Sequence, residues 1–221
     1  LRIRYTTSHP LDFSEDLIKI HEVCSKLMPL IHLPVQSGSN SILKSMNRKH
    51  SKEEYLDTVK KLKKINPKIK FSSDFIIGYP GETENDFIDT LKLIEKMEYI
   101  NIYSYVFSPR PGTPAANMEQ VNREVAKQRL KVFQEKAAKI KMCYREKLFN
   151  KQSLVLFENK IENSDKYFGR DEYFNPVVVK SNKDLKGKIF EVKILNGNQS
   201  TLVGMIKKKI KETPQYNNVR N

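Results

Sequence analysis

The apolar positions of the chain change period along its length. Arg2 to Thr7 alternates basic and apolar residues and stops at Pro10, which predicts a short strand and a loop. From Asp12 to Leu27, Leu17, Ile18, Ile20 and Val23 follow a helical pattern. Ile31 to Val35 is a short apolar run that ends in Gln36-Ser37-Gly38-Ser39, and a short helical stretch follows from Ser41 to Met46. Ser51-Lys52-Glu53-Glu54 is a capping box, because a Ser hydroxyl and a Glu three residues on satisfy two free amides at a helix start. The helix it opens places Tyr55, Leu56, Val59 and Leu62 on one face and ends at Asn66-Pro67. Phe71 to Ile77 is the next strand, closed by Gly78-Tyr79-Pro80-Gly81. Thr83-Glu84-Asn85-Asp86 starts another helix, with Phe87, Leu91, Ile94 and Met97 inward. Ile100 to Phe107 is a further strand before the loop Ser108-Pro109-Arg110-Pro111-Gly112-Thr113-Pro114.

Strand then helix, repeated at this spacing, predicts parallel strands with helices packed outside. Ligands of such folds bind at the carboxyl ends of the strands, so the active face is placed before any motif is considered. A long helix is predicted from Val121 to about Leu148, with Val125, Leu130, Phe133, Ala137 and Ile140 as its buried stripe. Its basic residues, from Arg123 to Lys147, outnumber Glu124, Glu135 and Glu146. Beyond Lys151 the period becomes strand-like. Ser153–Phe157, Tyr167–Gly169, Asn175–Lys180, Lys188–Leu195 and Thr201–Ile206 read as short strands of a small OB-type barrel. The expected division is an α/β region over 1–150, an all-β barrel over 151–212 and a polar tail over 213–221.

Charge adds a partner class. Among 221 residues, 40 Lys+Arg face 26 Asp+Glu, a net charge of +14. That surplus favours a polyanion, nucleic acid first, although a Lys-, Ile- and Asn-rich composition produces the same excess with no such partner. The two cysteines, Cys24 and Cys143, are neither a disulfide framework nor a metal-ligand spacing, and a reducing, cytoplasmic setting is expected. No apolar run approaches the ~20 residues of a membrane span. The opening Leu1-Arg2-Ile3-Arg4-Tyr5 is already strand-like and reads as a cut through a longer protein.

Few residues suggest chemistry by themselves. No Ser-His-Asp arrangement and no Walker loop stand out, so no catalytic residue and no metal ligand is assigned. His9 and His32, at strand ends, read as hydrogen-bonded structural histidines. Gly78-Tyr79-Pro80-Gly81-Glu82-Thr83 lacks the Lys of a phosphate loop, and its first role is to turn the chain and cap a helix. Asp74 lies inside an apolar strand, where a carboxylate costs several kcal/mol unless paired or hydrogen-bonded. It is either half of a structural ion pair or an acceptor for a ligand hydroxyl. Gln36 and Arg48 stand at comparable positions after a strand and a short helix.

The phrases Ile3-Arg4-Tyr5-Thr6-Thr7-Ser8-His9-Pro10, His32-Leu33-Pro34-Val35-Gln36-Ser37-Gly38-Ser39, Met46-Asn47-Arg48, Ser72 to Thr83 and Phe107 to Ala116 resemble, in order and spacing, the later half of radical S-adenosylmethionine (SAM) methylthiotransferases. The wording is most similar to the MiaB branch, which methylthiolates isopentenyl-adenosine beside the tRNA anticodon. The remainder resembles the TRAM domain of that family, an RNA-binding β-barrel. The resemblance implies a partial parallel (β/α) barrel followed by the TRAM barrel. It implies SAM as methyl donor and radical source, two [4Fe–4S] clusters in the intact enzyme, and a tRNA anticodon stem-loop as partner together with the N-terminal portion. Neither cluster-binding cysteine set is in this sequence, so the chain by itself is expected to be inactive. By resemblance, Gln36 and Asp74 match positions that touch the SAM ribose, Arg48 one that pairs the methionine carboxylate, and Ser8 one near the amino group. Arg110 is a candidate RNA contact on the strand-end face, and Arg170, Tyr173 and Lys180 are candidates on the barrel; for Arg110 a loop-stabilising role, and for Tyr173 core packing, stand as alternatives. A non-catalytic RNA-binding remnant of a truncated gene is the rival reading.

Overall fold

The computed structural model describes residues 2–6, 10 and 13–209. They form two compact units. One comprises Tyr5–Glu22 and Ile31–Ile140, and the other Leu1–Arg4, Val23–Leu30 and Lys141–Asn221, in their described parts. No described helix is long and apolar enough to cross a membrane.

The first unit is built around a three-stranded sheet in the order β1 (Leu30–His32), β2 (Lys70–Ile77), β3 (Asn101–Val106). Pairing of β2 with β3 is parallel, Asp74 opposite Tyr103 and Ile76 opposite Tyr105. The run expected over Ile31 to Val35 is interrupted, and Pro34 supplies the reason, since it has no amide to give the ladder. Leu33 N–H still reaches Ser72 O at 2.8 Å. Val35 N–H turns instead to the Ser73 hydroxyl at 3.0 Å. Pairing resumes with Gln36 N–H on Asp74 O at 3.0 Å. The strand expected over Arg2 to Thr7 is reduced to single bridges, Ile3 to Leu27 and Thr6 to His32.

Helices α1 (Glu15–Val23), α2 (Asn40–Ser45), α3 (Lys52–Ile65), α4 (Glu84–Met97) and α5 (Arg123–Glu146) follow the expected order. Both α3 and α4 open with reciprocal capping boxes, Ser51 with Glu54 and Thr83 with Asp86. Residues Phe71, Phe75 and Ile77 of β2 bury one face of the sheet against Tyr55, Leu62, Phe87 and Ile94 of the helices. Each such fully buried apolar side chain contributes about 1.5–3 kcal/mol. Two expected helix faces are corrected. Ile20 and Val23 of α1 are exposed, and Ile18 and His21, three apart, point inward. On α5, Val125 is exposed and Ala126 buried, because spacings of three and four from Phe133 through Leu130 reach Ala126.

The second unit is a closed barrel in the order β4-β5-β6-β8-β7. Its strands are β4 (Gln152–Lys160), β5 (Lys166–Arg170), β6 (Pro176–Lys180), β7 (Ile189–Gly197) and β8 (Leu202–Lys209). All pairings are antiparallel except β6 with β8, and closure of β4 on β7 removes free edges. Val155, Phe157, Val177, Val179, Val192 and Ile194 fill the interior by period-two alternation. A Cβ at Gly169 would lie 2.5 Å from Leu156 O, so only glycine fits that crossing. This is the small OB-like barrel expected from the strand spacing, TRAM-like in character. The expected polar tail falls outside the described residues.

Candidate functional site

The sheet of the first unit has one apolar and one polar face. Alternation along β2 sends Phe71, Ser73, Phe75 and Ile77 toward the helices and leaves Asp74 and Ile76 on the other side. On that side His32 Nε2 lies 3.4 Å from Asp74 Oδ2. His32 Nδ1 lies 3.0 Å from Ser72 Oγ, and its ring meets Tyr103 edge-on. The carboxylate remains 32% exposed, and no hydrogen bond reaches its Oδ1 among the described residues. Tyr103 and Tyr105 are 49% and 61% exposed on the same face.

Gln36 is brought directly beside Asp74. Its amide bonds Asp74 O and its carbonyl accepts from Ile76 N–H, both at 3.0 Å. Its φ of 76° is a left-handed conformation rare for a side chain of this size, which marks a strained turn at the strand end. The following motif is structural. Gly38 N–H donates to Thr90 Oγ1 at 3.0 Å, and a Cβ at Gly38 would lie 2.6 Å from the α4 backbone at Asp89 O. Ser39 and Ser41 donate to Asp86 Oδ1. Burial alone would raise the Asp86 pKa, but hydrogen bonds from Ser39, Ser41 and Thr83 outweigh it and hold this carboxyl far below the usual range.

Arg48 follows α2, its amide closed on Leu43 O at 2.9 Å. Its guanidinium is half-buried, and burial lowers its pKa. The guanidinium has no hydrogen bond or ion pair among the described residues, Asp74 included, whose close partner is His32. Ser8, with Thr7 and His9, lies outside the described residues. The loop after β2 turns and caps, as its sequence suggests. Glu82 Oε2 accepts Gly78 N–H at 2.9 Å and pairs with Arg129 at 3.0 Å, which the sequence did not reveal because the partner is on α5. Arg110 is exposed. Its carbonyl accepts both Thr113 N–H and Thr113 Oγ1–H, while its guanidinium is without a partner among the described residues.

In the second unit, Arg170 pairs with Glu158 at 3.2 Å and stands 4.0 Å from the Phe174 ring centre. Lys180 is exposed, 3.8 Å from Asp165. Tyr173 packs edge-on against Tyr144, and burial raises its pKa. The exposed aromatic of this loop is Phe174, which sequence reading did not single out. Asp171 is the reason. Its buried carboxylate accepts Tyr173 N–H, Asn175 N–H and the Asn175 side-chain amide, forcing a tight turn that holds Phe174 at φ 65°. The long helix is less free than its composition suggests: Arg129 is tied to Glu82 and Glu84, Lys136 to Glu95, and Arg145 is buried on Asn198 O.

No group of three His, Cys, Asp or Glu side chains gathers as a metal site among the described residues. Cys24 is half-buried and Cys143 exposed, and two cysteines do not fit a [4Fe–4S] ligand set. The polar face holds a partly exposed carboxylate, Asp74, with the buried, left-handed Gln36 beside it, and the half-buried Arg48 guanidinium follows α2; these are groups of the chemistry that hydrogen-bonds a ribose and pairs a carboxylate.

Comparison with known proteins supplies the family. The radical SAM superfamily matches residues 1–94. A tRNA-2-methylthio-N(6)-dimethylallyladenosine synthase of Pelagibacter ubique is 55% identical over 205 residues, 93% of this chain and 46% of that protein. The Wolbachia pipientis (Culex pipiens) protein of the same name is 48% identical over 92% of this chain and 47% of its own length. That of Rickettsia bellii is 46% identical over 93% and 46%. Among solved structures, Escherichia coli coproporphyrinogen III oxidase, a radical SAM enzyme, aligns at TM-score 0.49 and 13% identity over 74% of this chain and 45% of its own. The chain spans about half the length of the curated relatives it matches. With nine-tenths of its residues aligned at this identity, the chain is homologous to about half of these radical-SAM tRNA-2-methylthio-N(6)-dimethylallyladenosine synthases.

Proposed function

We propose that this chain is the SAM-facing and RNA-facing part of an enzyme that methylthiolates N6-dimethylallyladenosine in tRNA, next to the anticodon. The observation that carries this reading is the 55% identity to a synthase of that name, together with the juxtaposition of Gln36 and Asp74 on the polar face of the sheet. SAM, when bound, supplies the methyl group and the radical. Asp74 accepts hydrogen bonds from its ribose hydroxyls, the Gln36 amide donates to or accepts from them, and Arg48 offers a planar fork to its carboxylate. Arg110, Arg170 and Lys180 contribute phosphate contacts on RNA. The adenine beside an anticodon already lies in a loop, where bases are splayed and read singly. Ser8 near the SAM amino group belongs to the same proposal. So does the setting: cytoplasm, with the N-terminal portion as partner.

Because two cysteines cannot supply even one three-cysteine cluster loop, the chain by itself is inactive in this reading. The test is nucleoside mass spectrometry of tRNA from a bacterium lacking its own synthase. This chain joined to the remaining half of the Pelagibacter ubique relative restores the methylthio nucleoside, and the chain alone does not. A folded chimera that leaves the dimethylallyl nucleoside unchanged, or turnover by the chain alone, overturns the reading.

A further inference from the structure

The barrel unit carries a pocket of about 220 Å³ that the SAM face does not explain. Arg2, Arg4, Arg170 and Phe174 line it, with Leu156, Glu158 and Asp171 completing the wall. Three guanidinium groups meet at one pocket and repel one another, offset in part by Asp171 and Glu172. Asp171 is buried and holds its own turn, and Glu158 pairs with Arg170 alone. Burial, then Arg2, lowers the Arg4 pKa to about 10.

Arg4 and Arg170 keep donors in reserve among the described residues. Arg2 donates to Arg170 O and Leu154 O. Arg4 Nη2 donates to Asp171 O and Glu172 O, but its Nε and Nη1 meet no partner among the described residues. Arg170 gives only Nε to Glu158. Beside them stands Phe174, 40% exposed at φ 65°. The guanidinium carbons of Arg4 and Arg170 lie 4.6 Å and 4.0 Å from its ring centre. Surplus fork donors suit a phosphate, and a guanidinium–aromatic stack suits a planar base. An acidic peptide would satisfy the charge and leave the stack unused.

We propose that this pocket binds one nucleotide of single-stranded RNA, its phosphate on Arg4 and Arg170 and its base on the Phe174 stack. This rests on the tRNA reading above and names the barrel residues that would serve it. The test is fluorescence anisotropy of a labelled single-stranded oligoribonucleotide with the full chain. Phe174→Gly keeps the left-handed turn and removes the ring. It weakens binding about tenfold, within the loss expected for one stacked base. An abasic oligonucleotide binds Phe174→Gly and the unaltered chain equally. Arg170→Gln weakens binding and reduces the slope of log K against log salt by about 0.7, the value for one released phosphate on single strands. Thermal unfolding establishes that each variant is folded. If the unaltered chain binds and both folded variants bind equally well, the pocket is wrong and the tRNA reading stands. If the unaltered chain binds no RNA, both fall. Polyglutamate competing as well as RNA of equal charge assigns the pocket to an acidic peptide and overturns the proposal.

Discussion

His32 and Asp74 face each other across β1 and β2, Nε2 to Oδ2 at 3.4 Å. The other ring nitrogen is at Ser72 Oγ, so residues 72 and 74 of one strand face hold the imidazole from both sides. The ring approaches one carboxylate oxygen and leaves the other open. His32, a structural histidine by sequence, is thereby a positioning residue for Asp74. In the chain joined to a relative's remaining half, Asp74→Ala weakens SAM binding by about 1.5–3 kcal/mol, the range for hydrogen bonds to a charged group. His32→Phe weakens it less, because the carboxylate remains but is no longer oriented. Equilibrium dialysis with SAM measures both, and tRNA affinity is unchanged in each. Equal SAM affinity in a folded Asp74→Ala protein returns Asp74 to a structural role.

Among the described residues, Arg129 is the counter-charge to Glu82, a carboxylate with 1% of its side chain exposed. Burial already raises the Glu82 pKa, opposed by Gly78 N–H and Arg129. Arg129→Met leaves that acid buried beside an apolar chain and destabilises the unit by roughly 3–5 kcal/mol, the cost of breaking one side of a buried pair. Urea unfolding reads the loss. It is smaller at pH 5 than at pH 8, since protonation of Glu82 relieves it. A loss under about 1 kcal/mol, as for an exposed pair, contradicts this account.

Glu172 is an acid whose ionisation, like that of the buried Asp171 beside it, opposes barrel stability. Burial, then Asp171, raises its pKa to about 7. The folded state therefore binds this proton more tightly than the unfolded chain, whose carboxyl titrates near 4.3. Below that pH the contribution is fully present, and it is lost as pH rises toward about 7. Hydrogen exchange at Leu154 N–H, which Glu172 Oε2 accepts at 3.1 Å, reports on it. Stability falls between pH 5 and 7 in the unaltered chain and stays flatter in Glu172→Gln. Parallel profiles for the two proteins count against the assignment.

Much of this was written locally. The capping boxes at Ser51 and Thr83, the alternation of β2 and the turn after Ile77 each depend on neighbours within four residues, and each formed as the sequence predicts. The period-two strands beyond Lys151 gave a small barrel for the same reason. The motifs from Ile3 to Ala116 identified the family, because a motif is a local record of a site.

What the tertiary structure decided involves partners far apart in sequence. No local pattern says that β6 runs parallel to β8, or that Pro34 breaks the first ladder while Ser73 takes its place. Nor does it tell that Arg129 belongs to Glu82, 47 residues away, rather than to a nucleic-acid face. Asp74 was legible as an anomaly, a charge in an apolar strand; that its partner is His32 and not Arg48 followed only once β1 lay beside β2. Tyr173 and Phe174 are adjacent and chemically alike. The Asp171 turn sends one ring against Tyr144 and the other outward, since side-chain direction is set by φ and ψ, which the turn's hydrogen bonds impose.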